Sequence, residues 1–312
     1  MNRLKFIEDN SMEGKICLVT GASRGIGFQT ALGLARKGAF IVLASHNRQR
    51  GEKAGRRINA YVMRKATDFM LVDLSSQEQI FEFAETFKGK YDRLDVLINN
   101  AGGFFLKHRK SADGIEMTFA LNHLNYFMTT LLLMDPILAS GSARIVNVSA
   151  ESHRGHDMNF DDLHFEDGYN GVQAYGQSKL ANLLFTYELA RRLAHMEVTV
   201  NALHPGFVKT HLGKQNRVVR AVMNVLHSFA KSPKEGAETP IYLASSPNVA
   251  GVSGQYFIDK KEVPSSPESY DAATAERLWN VSEELCGSGV SAVRLGDLQI
   301  AGSRLNDKVV GT

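Results

Sequence analysis

The chain has 312 residues, 44% of them apolar and 22% charged, with a formal net charge of +3. That length suits one large α/β domain with a tail, or two small domains, and the composition is that of a soluble globular protein. A charge of +3 is too weak to argue for nucleic acid, and the sequence carries no RNA- or DNA-binding motif. Cys17 and Cys286 stand far apart, and Cys17 lies in a β-like run, so no disulfide framework is expected. The opening stretch Met1–Asp9 has no apolar segment of signal-peptide or membrane-span length, which makes a soluble cytoplasmic protein the default expectation. No metal site is expected.

In chain order, apolar runs of strand length alternate with periodic segments of helix length. Strands are expected at about Ile16–Thr20, Phe40–Ala44, Phe69–Val72, Val96–Ile98, Ile145–Val148, Val198–Leu203 and Gln255–Ile258. Helices are expected at about Ile26–Lys37, Gln49–Ile58, Gln77–Phe87, Met117–Met134, Tyr175–His195 and Pro233–Ala244. Ser232-Pro233-Lys234-Glu235 supports the last helix start, with Ser at the cap, Pro at the first helical position and Glu two further on. Continuous apolar strands alternating with helices predict a doubly wound α/β fold: a seven-stranded parallel sheet with helices on both faces.

Thr20-Gly21-Ala22-Ser23-Arg24-Gly25-Ile26-Gly27 follows the first strand and opens the first helix. Glycines there permit a tight turn, and a helix N-terminus offers unpaired N–H groups to a pyrophosphate. The spacing is GxxxGxG, so the commoner GxGxxG fingerprint is not matched. Further along, Tyr175 and Lys179 lie one turn apart on one face of an expected helix. A phenol titrates near pH 10, and a neighbouring ammonium favours its phenolate, which is the chemical use of that spacing.

TGASRGIG, Asp73-Leu74, Asn99-Asn100-Ala101-Gly102, Asn122, Tyr175-Gly176-Gln177-Ser178-Lys179 and His204-Pro205-Gly206 occur in the order and spacing of one family. Together they resemble the short-chain dehydrogenase/reductase family, over about Gly14 to Gly287. Asn122-His123-Leu124, SKLANLLFTYELARRL and LHPGFVKT look most like its retinol-dehydrogenase-like and WW-domain-oxidoreductase-like branch. The resemblance implies a single Rossmann-type domain at 14–287, an N-terminal extension at 1–13, a substrate lid at about 208–232 and a tail at 288–312. It also implies roles for particular residues. Gly21, Gly25 and Gly27 would form the pyrophosphate turn, and Ser23, Arg24 and Ile26 of the same loop would also bind the cofactor. Asp73 and Leu74 would meet the adenine. Asn99, Ala101 and Gly102 would line the cofactor, and Pro205, Gly206, Val208 and Thr210 would reach its nicotinamide end. Tyr175 would exchange a proton with a carbonyl or alcohol oxygen, Lys179 would bind the nicotinamide ribose, and Asn122 would hold a water in a proton relay.

At the end of the second strand, Ser45-His46-Asn47-Arg48 contains no acid to hold a ribose 2′-hydroxyl. His46, Asn47 and Arg48, with Arg24 nearby, favour NADP(H) over NAD(H), because the two arginines can hold a 2′-phosphate. The chain departs from the family after the fifth strand. Where Ser-Ser is usual it reads Val148-Ser149-Ala150-Glu151-Ser152, so the catalytic position falls on Ala150. Ser149 and Ser152 are the candidate substitutes; alternation along an extended strand end points Ser149 away, which favours Ser152. Two readings stay open: an oxidoreductase for an apolar carbonyl or alcohol, and a cofactor-binding sensor or interaction module with little turnover. The apolar surplus on Met117–Met134 and Tyr175–His195 predicts a homodimer.

Overall fold

The computed structural model describes residues 10–207 and 231–287. Val208, Thr210, the expected lid up to residue 230, the tail from 288 and residues 1–9 lie outside the described residues.

The sheet has eight strands, one more than expected. They are β1 (Ile16–Thr20), β2 (Phe40–Ser45), β3 (Thr67–Leu71), β4 (Val96–Asn99), β5 (Ala143–Val148), β6 (Val198–His204), β7 (Tyr256–Ile258) and β8 (Lys261–Glu262). Their order across the sheet is β3-β2-β1-β4-β5-β6-β7-β8. All pairs are parallel except β7 with β8, where Ile258 lies opposite Lys261 across a tight turn. Asp259 and Lys260 at that turn have φ of +52° and +64°, and a two-residue strand this short leaves no apolar run to read in the sequence. Leu18, Val42, Leu97 and Val200 are fully buried because helices cover both faces of the sheet.

On one face lie α1 (Gly25–Arg36), α2 (Arg48–Val62) and, later in the chain, α8 (Pro233–Gly236) and α9 (Glu238–Ser245). On the other lie α3 (Gln77–Lys88), α4 (Met117–Phe119), α5 (Asn125–Leu132), α6 (Met134–Leu138), α7 (Gly171–Arg192) and α10 (Ala272–Cys286). The expected capping box at Ser232 and Glu235 is present, and Ala237 separates α8 from α9. The expected single helix Met117–Met134 is broken. A π-helical turn at Ala120–Leu124 joins α4 to α5, and Asn125 N–H reaches back to the Ala120 carbonyl. Such a turn inserts one residue and widens the helix locally, and the run is buried on almost every side, so no polar face marks the shift in the sequence.

Helix α10 was not expected, although its signals are present. Asp271 caps it, accepting from the Ala273 N–H at 3.1 Å, and Ala275, Leu278, Trp279, Ser282 and Cys286 form its buried face. Trp279 packs on Phe127 of α5 and Phe185 of α7, with ring centroids 4.9 and 6.0 Å apart. The Arg192 guanidinium lies over its outer side, 4.0 Å from the ring centroid. The apolar surplus on α5 and α7 is therefore met within the chain, and it no longer argues for a homodimer.

Truncating the ring that joins three helices leaves a large cavity. Trp279→Ala should cost about 3–5 kcal/mol of folding stability, read from urea unfolding followed by circular dichroism. A loss below about 1 kcal/mol would mean that α10 contributes little to this core.

Candidate active site

The strand order reverses between β1 and β4, where a doubly wound sheet opens a crevice at its carboxyl edge. The Thr20 hydroxyl closes the base of that crevice. It accepts the N–H groups of Asn100 and Ala101 at 2.8 and 3.0 Å and donates to the Ile98 carbonyl at 3.2 Å. Asn100 in turn donates its side-chain amide to the Thr20 carbonyl at 2.8 Å. A Cβ on Gly27 would come within 2.6 Å of both that amide and the Gly21 carbonyl, so backbone and amide meet where any side chain would stand. Gly21 and Gly25 have φ of +66° and +61°, the left-handed region that glycine adopts freely. Arg24 makes no side-chain cap and the first turn of α1 holds no acid, so its leading N–H groups face the loop beside Ser23 and Ile26. This cradle fits a pyrophosphate. Thr20 and the Asn100 side chain are the parts of it that sequence reading missed; the signal was a hydroxyl at a strand end opposite an amide at the next.

The remaining cofactor candidates lie around the same edge. Asp73, just past β3, holds the Ser75 N–H and hydroxyl on one carboxylate oxygen, at 3.0 and 2.7 Å. Leu74 is buried in the core, so any contact it makes with a ligand is through its backbone. Asn99 is fully buried, donating to Thr130 and to Asn147 of β5 at 2.9 Å each. Past β2, His46 is exposed, and Asn47 caps α2 by accepting from the Arg50 N–H at 2.9 Å. Arg48 stands 3.6 Å from Glu52, with both side chains largely in solvent, while Arg24 is exposed and makes no ion pair among the described residues. Pro205 and Gly206 follow β6, and the Phe207 carbonyl accepts from the Lys231 N–H at 2.6 Å.

Tyr175, Lys179 and Asn122 converge at the next part of the edge. Asn122 sits in the π turn with its side chain fully engaged. It accepts from the Gly103 N–H at 2.7 Å and donates to the Gly103 carbonyl and the Ser178 hydroxyl, each at 3.0 Å. It thus clamps the loop after β4 to α7. The Lys179 ammonium is buried and donates to the Val148 carbonyl at 3.1 Å. It lies 5.6 Å from the Tyr175 ring centroid. Phe104 meets the same ring edge-on at 5.4 Å.

Burial sets the proton affinities here. It lowers Lys179 from an ordinary 10.5 to about 7, and raises the Tyr175 phenol from 10.0 to about 12. The sequence expectation was a phenol pulled down by its lysine neighbour. Loss of hydration outweighs that attraction, because the lysine is itself driven towards its neutral form.

The two candidate serines part company. Ser149 is buried and donates its hydroxyl to the Lys179 backbone carbonyl at 2.7 Å, so it ties β5 to α7. The Ser152 hydroxyl, one short turn beyond Ala150, is buried without a hydrogen-bond partner among the described residues. Among the described residues no group of three His, Cys, Asp or Glu side chains could hold a metal ion, and no helix is long and apolar enough to cross a membrane.

The short chain dehydrogenase family model matches residues 15–220. Retinol dehydrogenase 14 of Mus musculus is 43% identical over 290 residues, covering 88% of this chain and 87% of that protein. Retinol dehydrogenase 13 of Homo sapiens is 40% identical over 291 residues, covering 91% and 88%. Among solved structures, an uncharacterized protein from Mycobacterium paratuberculosis is similar with a TM-score of 0.72 at 31% identity, covering 88% of this chain and 94% of that one. A short chain dehydrogenase from Shigella flexneri 2a, solved with NADP, has the same fold at 24% identity and a TM-score of 0.66, covering 81% and 100%. The chain belongs to the short-chain dehydrogenase family, in its retinol-dehydrogenase-like branch, and is an oxidoreductase acting on CH–OH and C=O groups with a nicotinamide cofactor.

Proposed function

We propose that the chain is an NADP(H)-dependent oxidoreductase for an apolar carbonyl or alcohol, with Tyr175 as its acid–base group. The observation that carries this reading is the phenol of Tyr175 set between an apolar ring, Phe104, and a buried ammonium, Lys179. Gly21, Ser23, Arg24, Gly25, Ile26 and Gly27 would hold the pyrophosphate, Asp73 and Leu74 the adenine, and Asn99, Ala101, Gly102, Pro205 and Gly206 the nicotinamide half. A bound nicotinamide supplies or accepts the hydride. In reduction the protonated Tyr175 hydroxyl gives its proton to the substrate oxygen; in oxidation its phenolate takes that proton back. Lys179 favours the phenolate whenever it is charged, and Asn122 keeps the β4 loop and α7 in register beneath both. The relatives named retinol dehydrogenases agree with an apolar alcohol or aldehyde as substrate.

Two details refine the proposal. The absence of an acid in Ser45-His46-Asn47-Arg48 favours NADP(H). Among the described residues Arg48 pairs with Glu52, an exposed pair worth about 0–1 kcal/mol, which a 2′-phosphate can displace. For the substrate oxygen, Ser152 is the available donor, since its hydroxyl is unspent while that of Ser149 is committed to Lys179. The second reading, a sensor with little turnover, rests on Ala150.

NADPH should bind more tightly than NADH in fluorescence titrations, and Arg24→Ala with Arg48→Ala should erase the difference; equal affinities in the wild type would remove the argument. With retinol and with retinal, Tyr175→Phe should abolish turnover while leaving NADPH binding within about twofold. Ser152→Ala should cost about 10²-fold in kcat, and Ala150→Ser should restore part of it. Tight NADPH binding without turnover in the wild type or in Ala150→Ser, across apolar aldehydes and alcohols, would select the sensor.

Lys179 should also cost stability. Its folded proton affinity is depressed, so below about pH 7 the fold carries a charge that its surroundings resist, and above 10.5 both states are neutral. Lys179→Met should therefore raise Tm while abolishing turnover, with the gain largest below pH 7 and shrinking from there to 10.5. A lower Tm at pH 6 would show that the ammonium is stabilised in the fold.

A further inference from the structure

Three donors meet at one backbone oxygen. The Val148 carbonyl accepts from the Lys179 ammonium at 3.1 Å, from the Tyr126 hydroxyl at 3.3 Å and from the Asn182 side-chain amide at 3.4 Å. A carbonyl oxygen has two lone pairs, and a charge-assisted N–H···O bond ordinarily closes to about 2.7–2.9 Å. All three contacts are long, as sharing requires. Tyr126 comes from α5, Asn182 and Lys179 from α7, and Val148 ends β5, so the junction joins three elements.

The geometry points to Tyr126 as a positioning residue: its hydroxyl competes with the Lys179 ammonium for the Val148 carbonyl and keeps that ammonium loosely held. The inference rests on the reading of Lys179 as a working group of the site. Tyr126 is fully buried, and burial holds its phenol protonated far above the ordinary range, so it acts as a donor at any working pH. Its ring also faces the ammonium, with the centroid 5.8 Å from Nζ. Without the competing hydroxyl, the ammonium and the Asn182 amide would each take one lone pair. The bond from Lys179 would then shorten, favouring the charged form and drawing it towards β5, away from Tyr175.

Among the described residues, the surroundings of Lys179 offer no other electrostatic control. Among the described residues the titratable groups facing it are the phenols of Tyr126 on α5 and Tyr175 on its own helix. The loop after β4 brings Gly102, the π turn brings Asn122, and β5 brings the Val148 carbonyl. Among the described residues no charged group offsets its burial.

The test reads Lys179 directly, on protein without substrate. In protein labelled with [13C]lysine, the Lys179 Cε resonance is the one missing from Lys179→Met. Its midpoint should rise by about half a pH unit or more in Tyr126→Phe, a change that removes one hydroxyl and leaves the ring. A merely structural role for Tyr126 would lower Tm without moving that midpoint, and an unmoved or lowered midpoint overturns the inference. Asn182→Ala vacates the same carbonyl from its other side and should move the midpoint in the same direction, which keeps the test open should Tyr126→Phe fail to fold. Turnover that survives Tyr175→Phe would remove the functional reading while leaving the midpoint as an independent result.

Discussion

An ammonium buried with no carboxylate beside it among the described residues is the constraint on which the site depends. A carboxylate beside Lys179 would have made the lysine cheap to bury, but it would have held the charge permanently and drawn it from the phenol. Here a backbone carbonyl and two aromatic rings take its place, and neither gives up as much to the charge as a partner ion would. Lys179 is therefore poised near neutrality, where its charge responds to whatever enters the crevice. In the proposed mechanism the protonated phenol of Tyr175 would be the matching half, an acid whose release of a proton becomes favourable as the ammonium beside it is charged.

The rest of the carboxyl edge keeps that pair in place by pinning main-chain segments to one another. Thr20 ties the glycine loop to the residues just past β4, and Asn122 ties Gly103, further along the loop after β4, to α7. Ser149 ties β5 to the backbone of Lys179 itself. Each is a short polar side chain whose bonds are spent on structure, so the crevice keeps its shape without any of them touching a ligand. Preorganisation of this kind would let one phenol and one amine act with little reorganisation in the proposed mechanism.

The doubly wound order and the glycine turn were legible because their signals are local. A buried parallel strand is a short apolar run, and the turn is a spacing of glycines between such a run and a helix. The carboxyl-edge pair was legible too, as a Tyr and a Lys one turn apart. What could not be read were contacts made by backbone atoms, since any residue supplies a carbonyl; nothing about Val148 as a residue type marks its oxygen as the acceptor for Lys179. The π turn escaped for a different reason: nearly every residue from Ala120 to Leu132 is buried, so the run has no polar face whose shift in phase could mark an inserted residue. Helix α10 was visible in its Asp271 cap and its apolar spacing, and the homodimer expectation came from counting apolar positions on α5 and α7 without it.

The loop that lacks the usual serine is itself latched, which bears on how a substitute could act. The His153 ring lies within the protein, with Nδ1 2.7 Å from the Ala150 carbonyl and Nε2 accepting the Ser266 N–H at 3.0 Å. Since Nε2 accepts, the ring proton is on Nδ1 and is donated to Ala150, a neutral tautomer that burial favours by lowering the affinity for a second proton. Arg154 adds a bond to the Pro264 carbonyl at 2.7 Å, and Ser265 bonds Tyr187 of α7 at the same distance. The turn from Ala150 to Arg154 is thus held from beyond β8 and from α7 together, independently of any ligand. If Ser152 supplies the missing donor, as proposed, that latch and not the substrate would fix the backbone that carries its hydroxyl.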